Sequence, residues 1–502
     1  MKKGLYEKLK ENSCSDYYPF HMPGHKRMAG HPLLESFPNP YSLDITEIDG
    51  FDNLHHPEGI LKESMERISS VYGSDKSYYL VNGSSCGILS AICGTTICGD
   101  TVIMSRNCHK STYHGAFLNQ LKIKYIYPQM IEGFEMQGGI AADKLETELK
   151  TGESVSAVFI VSPTFDGVVS DIKKLSDICH AYDIPLIVDE AHGAHFRFGD
   201  SFPESALDSG ADVVIQSLHK TLPSFTQTAL LHVKKGYVDI EKIEYYLQIF
   251  QSSSPSYLFM AGMERCIDFM EAEGREQMRR FEEDLLLLRN HLKRMRHLKL
   301  LDKSVLGSCG VYDLDGSKIV VSSKGTGING QQLMDELRIT YHLEMEMCGA
   351  DYVTAITSVM DTKQGLKRLE DALVAIDGRI AEEEKQEEKS EEEKAERQAL
   401  WEKKSAEIGM TLYEAWKGKK ESVRIADSKG RISGEFVYLY PPGIPLIVPG
   451  EVITGDIIAS ILRYKTDKLP VQGLKDYNAE RIEVLEKQAA CDILNKQTVH
   501  FR

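Results

Sequence analysis

The chain has 502 residues, 42% of them hydrophobic and 27% charged, and a formal net charge of −16. That length admits roughly two to four domains, and the apolar fraction supplies a sizeable core. The acidic balance argues against nucleic acid as a main partner, because phosphate binding needs clustered Lys and Arg; it is compatible with cationic small molecules and equally with plain solubility.

Residues 1–60 read as an irregular arm, rich in Pro, Gly and His, with His21-Met22-Pro23-Gly24-His25-Lys26 and Asn53-Leu54-His55-His56-Pro57. So many turn formers argue against a continuous helix, and such an arm needs another surface to order it. Residues 61–298 read as one large α/β domain. Its expected helices are Leu61–Tyr72, an apolar helix ending at Cys98, and Lys173–Tyr182. Its expected strands are Ser77–Val81, Thr101–Met104, Ala157–Val161, Pro185–Val188, Asp212–Ile215 and Thr228–Val233. Short buried strands separated by helices predict a mostly parallel sheet covered on both faces, with ligands at the carboxyl ends of the strands. Residues 237–298 read as helical, including Glu271–Arg296. Residues 299–380 suggest a smaller α+β domain, 381–404 a Glu/Lys-rich helix or linker, and 405–502 a C-terminal domain with a strand over Gly434–Tyr440 and a rigid turn at Pro441-Pro442-Gly443. The ten cysteines show neither C-x-x-C pairs nor zinc-like spacing with histidine, so free thiols in a reducing compartment and no metal are expected. Met1–Lys10 has no apolar h-region, and no apolar run approaches the ~18 residues that span a membrane. A cytoplasmic location without a membrane partner follows.

Four polar motifs fall at strand ends. Gln216-Ser217-Leu218-His219-Lys220 follows a buried strand, where a partly desolvated amine can attack an aldehyde and Ser217 and His219 can donate to a phosphate. The bland alternative is a surface lysine in a loop. Asp189, in Val188-Asp189-Glu190-Ala191-His192, is a carboxylate that needs a charged or donor partner; a pyridinium N–H would serve, as would an ordinary helix cap. Three residues on, His192 could reach the same ring. Asn82-Gly83-Ser84-Ser85 precedes an apolar helix and could cradle an anion, although Ser and Gly also serve as plain caps. His109, in Arg106-Asn107-Cys108-His109-Lys110-Ser111, could stack on a flat ring or be a satisfied structural histidine.

In this order the motifs resemble those of fold-type-I pyridoxal 5'-phosphate (PLP) enzymes. Together with His21–Lys26, Ser253-Ser254-Pro255-Ser256-Tyr257, Tyr440-Pro441-Pro442-Gly443-Ile444-Pro445 and Pro449-Gly450-Glu451, they resemble the bacterial Orn/Lys/Arg decarboxylase family, in a short form without its N-terminal wing domain. The resemblance implies that Lys220 carries the cofactor as a Schiff base, that Asp189 pairs with its ring nitrogen, that His109 stacks on it, and that Ser84, Ser85, Ser217 and His219 hold its phosphate. His192 is a candidate proton donor, and Glu451 matches a family glutamate placed for the substrate's distal cation. The resemblance further implies a basic amino-acid substrate (arginine first, then lysine, then ornithine) and a homodimer or dimer of dimers. Rival readings are another fold-type-I reaction, such as aminotransfer or α-oxoamine synthesis, and a non-catalytic protein of the same fold.

Overall fold

The structure, a computed structural model, describes residues 5–28, 31, 39–134, 136–384, 407–439, 443–466 and 469–486. The Tyr440-Pro441-Pro442 part of the proline motif and residues 385–404 of the charged run lie outside them.

The arm begins with helix α1 (Leu5–Ser13), which the turn-rich composition did not suggest, and strand β1 (Tyr18–Phe20). Helix α2 (Ile60–Tyr72) buries Leu61, Met65, Ile68 and Tyr72, one stripe at helical spacing, and stops at Gly73, whose left-handed φ of 71° favours a residue without a Cβ. Then come β2 (Lys76–Leu80), α3 (Gly83–Thr95), β3 (Thr101–Ser105), α4 (Lys110–Leu118), β4 (Lys122–Ile126), β5 (Ala157–Val161), α5 (Ile172–Ala181), β6 (Leu186–Asp189), β7 (Val213–Gln216) and β8 (Ala229–Val233). The strands form one seven-stranded sheet in the order β2-β8-β7-β6-β5-β3-β4. Only β8 runs against the rest.

Alternate residues feed two cores. Val158, Ile160, Val188 and Val214 pack on one face of the sheet, and Phe159, Ile187, Val213 and Ile215 on the other. This is the expected mostly parallel, doubly covered sheet. The polar ends of β6 and β7 sit one residue later than the apolar runs suggest, so Asp189 and Gln216 close the strands rather than follow them. Strand β4 was not anticipated; Lys122 and Lys124 alternate with Ile123 and Tyr125, the pattern of an edge strand.

Helix α6 (Ile240–Phe250) packs on α3. The helix expected over Glu271–Arg296 is present but begins within a π-turn (Met270–Gly274), continues without interruption as α7 (Arg275–Leu292) and ends before Arg296. Strands β9 (Lys299–Leu300), β10 (Lys318–Ser322), β12 (Met347–Cys348) and β13 (Tyr352–Ile356) make an antiparallel sheet in the order β9-β10-β13-β12. Strand β11 (Leu343–Met345) instead pairs in parallel with β1 of the arm, Tyr18 opposite Leu343 and Phe20 opposite Met345. Beyond residue 407 a separate apolar cluster gathers around Ile447, Ile453, Ile461 and Val484. The strand expected over Gly434–Tyr440 is confined to Val437–Leu439.

The arm is therefore ordered by the body of its own chain. Lys26, fully buried, donates to the carbonyls of Pro19 (3.1 Å), His21 (3.1 Å) and Ile356 (2.7 Å) and lies 4.0 Å from Asp361. The Gly24 N–H donates to the His219 carbonyl at 2.7 Å, and Ser358 Oγ donates to the Gly24 carbonyl at 2.6 Å. A Cβ on Gly24 would lie 2.7 Å from the Leu222 carbonyl oxygen and 2.9 Å from its nitrogen. Because backbone cannot swing aside, Gly24→Ala is expected to cost ~1–3 kcal/mol by overpacking, read as a lower urea midpoint. Gly378→Ala, where a Cβ meets nothing within 4 Å, should instead leave the midpoint unchanged or raised. Equal behaviour of the two variants would refute this account of the arm.

Candidate active site

Strand ends at β3, β5, β6 and β7, with the N-terminus of α3, surround a cavity of about 360 Å³. Helix α3 brings Ser84 and Ser85 to its wall, after Gly83 has turned the chain at φ 75°. The first turn of a helix has spare N–H groups, and its dipole favours an anion. Ser217, after β7, is fully buried, and its Oγ has no hydrogen-bond partner among the described residues. A buried hydroxyl of this kind is costly unless a ligand satisfies it. His219 and Lys220 follow on the single helical turn Leu218–Thr221. His219 Nδ1 donates to the Thr228 carbonyl at 2.8 Å, and burial brings its pKa down to about 4.

Lys220 Nζ lies 3.0 Å from His192 Nε2. Burial drives the lysine below its ordinary range, against the opposing pull of Asp189 and Glu346. The Asp189 carboxyl is pushed up by burial and held back by Lys220 and by the Ala191 N–H, which donates to Oδ1 at 3.1 Å. His192 is held far below the usual imidazole range, first by burial and then by Lys220. Its Nδ1 has no partner among the described residues, and its ring lies 4.7 Å from that of Phe165. His109 caps α4: Nδ1 accepts from the Ser111 N–H at 3.3 Å, so Nε2 carries the proton, and burial lowers its pKa to about 3. The site thus holds one buried amine, one buried carboxyl and three uncharged imidazoles.

The structure brings Ser84, Ser85, His109, Asp189, His192, His219 and Lys220 to one cavity wall, with Ser217 directly behind it. These residues fit PLP on three independent grounds: an anion cup with an orphaned hydroxyl, a carboxyl for a ring nitrogen, and a desolvated lysine. Glu451 is not among them, and this corrects the expectation. The carboxylate expected to await a substrate cation already has one in Arg106, which donates from Nε (3.0 Å) and Nη2 (2.9 Å), while the Val448 N–H supplies a third bond at 3.0 Å. Arg106 is buried, and its Nη1 also reaches Tyr113 Oη and the Pro445 carbonyl. The Ser252–Tyr257 segment does not line the cavity within this chain; Tyr257 Oη donates to the Asp52 carbonyl at 2.6 Å.

Sequence reading did not assign several other wall residues to the site, among them Met22, Asn107, Lys110, Phe165 and Glu346. Asn107 and Phe165 carried a usable signal, since both follow strands whose neighbours end at the same edge. Met22 and Glu346 carried none, because only the β1–β11 pairing brings them there.

The fold is that of the fold-type-I PLP enzymes. A lysine decarboxylase from Francisella novicida superposes with a TM-score of 0.75 at 20% identity, over 95% of this chain and 80% of that one. In sequence, the chain belongs to the Orn/Lys/Arg decarboxylase family: the family's major domain matches residues 3–334 and its C-terminal domain residues 395–468. It is 31% identical over 495 residues to an arginine decarboxylase from Bacillus subtilis, covering 97% of this chain and 98% of the relative. Against the inducible lysine decarboxylase of Escherichia coli it is 24% identical over 541 residues, covering 90% and 74%. The chain is an enzyme of the decarboxylase class.

The Arg106–Glu451 pair spans both family domains, so its strength is measurable as stability. Glu451→Ala leaves a buried guanidinium uncompensated and is expected to cost ~3–5 kcal/mol. Replacing both partners, as Arg106→Met with Glu451→Leu, should recover most of that loss in urea unfolding. A Glu451→Ala protein within ~1 kcal/mol of the parent would show that the pair does not hold the two parts together.

Proposed function

We propose that this chain decarboxylates L-arginine to the corresponding amine and carbon dioxide, with lysine and then ornithine as poorer substrates, as a PLP enzyme of the cytoplasm and a step in polyamine formation. The observation that carries the reading is Lys220, a buried amine facing a cavity between an anion cup and a buried carboxyl. Likeness over almost the whole chain to an arginine decarboxylase supports the order of substrates. No helix of the described residues is long and apolar enough to cross a membrane, and their cysteines are all unpaired, which is consistent with the location.

In this reading Lys220 holds the cofactor covalently, Asp189 pairs with its ring nitrogen and His109 covers its ring. Ser84, Ser85 and Ser217 donate to its phosphate, and His219 joins them through Nε2 once the phosphate's charge favours its protonated form. When bound, PLP supplies an electron sink for the pair of electrons left as carbon dioxide departs. The chain's own residues do the rest. Burial lowers the pKa of Lys220, which favours the nucleophilic free amine. His192, with Nε2 3.0 Å from Nζ, can accept a hydrogen bond from that amine and orient it, and Lys220 or His192 delivers the proton that replaces the lost carboxylate. Asp189, ionised beside a cationic ring, keeps the ring nitrogen protonated. Ile88, Val161 and Phe165 give the cavity apolar walls that limit water. The Ser252–Tyr257 segment resembles one that reaches the cofactor site near a dimer interface, which supports a homodimer or dimer of dimers as the working unit.

Borohydride reduction of the loaded protein is expected to fix the cofactor on the peptide containing Lys220, and Lys220→Ala should abolish turnover. Asp189→Asn should fold and load normally yet lose at least ~100-fold in kcat, because a neutral pyridine is a poor electron sink. A label on another lysine, or an unimpaired Asp189→Asn enzyme, would refute the assignments. The function itself is tested with L-arginine, L-lysine, L-ornithine and neutral amino acids, scored by amine and carbon dioxide release. A keto-acid-dependent reaction without carbon dioxide would replace decarboxylation with aminotransfer.

A further inference from the structure

With Glu451 committed to Arg106, the site still needs an acceptor for a basic side chain. Among the described residues lining the cavity the carboxylates are Asp189 and Glu346. Glu346 sits in the turn between β11 and β12, on the side supplied by the small sheet and the arm. Its placement is built in: the Met22 N–H donates to Oε2 at 2.8 Å, and β1–β11 pairing fixes the two backbones relative to each other. Oε1 makes no hydrogen bond among the described residues.

The surrounding charges leave Glu346 over. Lys26 has Asp361 at 4.0 Å, Lys318 has Asp315 at 3.8 Å, and the field of Asp189 bears on Lys220. Nearby Asp166 is satisfied by the hydroxyls of Thr354 (3.0 Å) and Tyr352 (3.3 Å) and does not line the cavity. Glu346 lies in the field of Lys26, Lys220 and Lys318 yet makes no direct ion pair among the described residues, and Lys110, which also lines the cavity, lies over the Tyr438 ring, 5.2 Å from its centroid. A carboxylate that lines the cavity with one oxygen unpaired is complementary to a cationic ligand.

From this we infer that Glu346 reads the distal cation of the substrate and is the residue that makes the enzyme select basic amino acids; the inference rests on the decarboxylase reading above. A guanidinium can approach the free Oε1 while Met22 holds Oε2, so the acceptor is already oriented when substrate arrives. A neutral side chain of the same length would displace water from Glu346 and leave it unpaired, and a site built this way rejects such analogues more strongly than an apolar pocket can.

The experiment compares L-arginine with L-citrulline, its neutral near-isostere, in wild type and Glu346→Gln, using the PLP-loaded enzyme. Wild type should strongly prefer arginine. Glu346→Gln should lose ~30-fold or more in kcat/KM for arginine and little for citrulline, so that the preference collapses while the cofactor absorption is unchanged. Calorimetry supplies a reading independent of turnover: n-pentylguanidine, which lacks the α-amino group, should bind wild type measurably better than n-pentylurea, and Glu346→Gln should lose that difference. Should Glu346→Gln fold poorly, Glu346→Asp serves instead, with an intermediate arginine preference expected. An equal loss for both substrates would make Glu346 a purely structural residue and overturn the inference. An unchanged preference would do the same and assign the acceptor to another group, such as one from a second subunit. If wild type releases carbon dioxide from no basic amino acid, the decarboxylase reading fails, a result distinct from either of these.

Discussion

Keeping a lysine and a carboxyl together in a nearly dry place is the constraint around which this molecule is arranged. Lys220 and Asp189 stand at the ends of neighbouring strands whose residues are otherwise apolar and buried. Taking both from water costs far more than their mutual attraction returns unless the surroundings are polar in the right directions. The strand ends supply those directions. The start of a helix, an unpaired serine hydroxyl and imidazoles whose hydrogen-bond roles are fixed by Ser111 and Thr228 all converge there. Much of the burial comes from elsewhere in the chain, from the arm and the small sheet that close over the strand ends. The charge is tolerated because the fold leaves room for a ligand to complete it.

A second buried pair does mechanical work. Arg106 stands just after β3, one residue before Asn107 and three before His109, and is gripped by Glu451 from the far end of the chain. Both residues are well buried, and Tyr113 and Tyr125 border the guanidinium, with ring centroids 5.6 and 5.4 Å away. Burial opposes the charge on Arg106, yet Glu451 together with Tyr113 and Tyr125 more than offsets it and holds the pKa well above the usual range. The turn that carries His109 is therefore anchored by the C-terminal part of the protein. Glu190, next to Asp189, is used differently: Ser205, the Ala206 N–H and Gln216 surround it, and its carboxyl, pushed up to about 7 by burial, supports the turn after β6 from below.

The mostly parallel sheet and most of its strands were legible because apolar runs of strand length, bounded by polar motifs, fit buried strands and little else. The convergence of Ser84, Ser85, His109, Asp189, His192, His219 and Lys220 on one cavity was legible for the same reason: each residue lies within a few positions of a strand end. The substrate side was not. Glu346 lies in Leu343–Cys348, where alternation marks a strand but nothing marks a site, and it reaches the cavity only through long-range pairing with the arm. Glu451 misled in the opposite way. A buried glutamate does demand a cation, but local sequence cannot say whether that cation is a substrate or an arginine 345 residues away. Strand β4 was passed over because two of its residues are lysines, the device that keeps an edge strand from recruiting another chain.

The arm has a consequence for how the protein is made. Strand β1 leaves the ribosome well before its partner β11; Met22 and Glu346, joined across the cavity wall, are 324 residues apart. At typical elongation rates of ~5–20 residues per second, roughly 15–60 s separate their synthesis. Through that interval Phe20, fully buried in the finished molecule, has no β11 strand to pair with, and the large sheet can assemble while its binding edge stays open. Nascent chains stalled before residue 343 would carry an assembled cofactor side and an unclosed substrate side, with an unpaired strand that chaperones or a second nascent chain could capture.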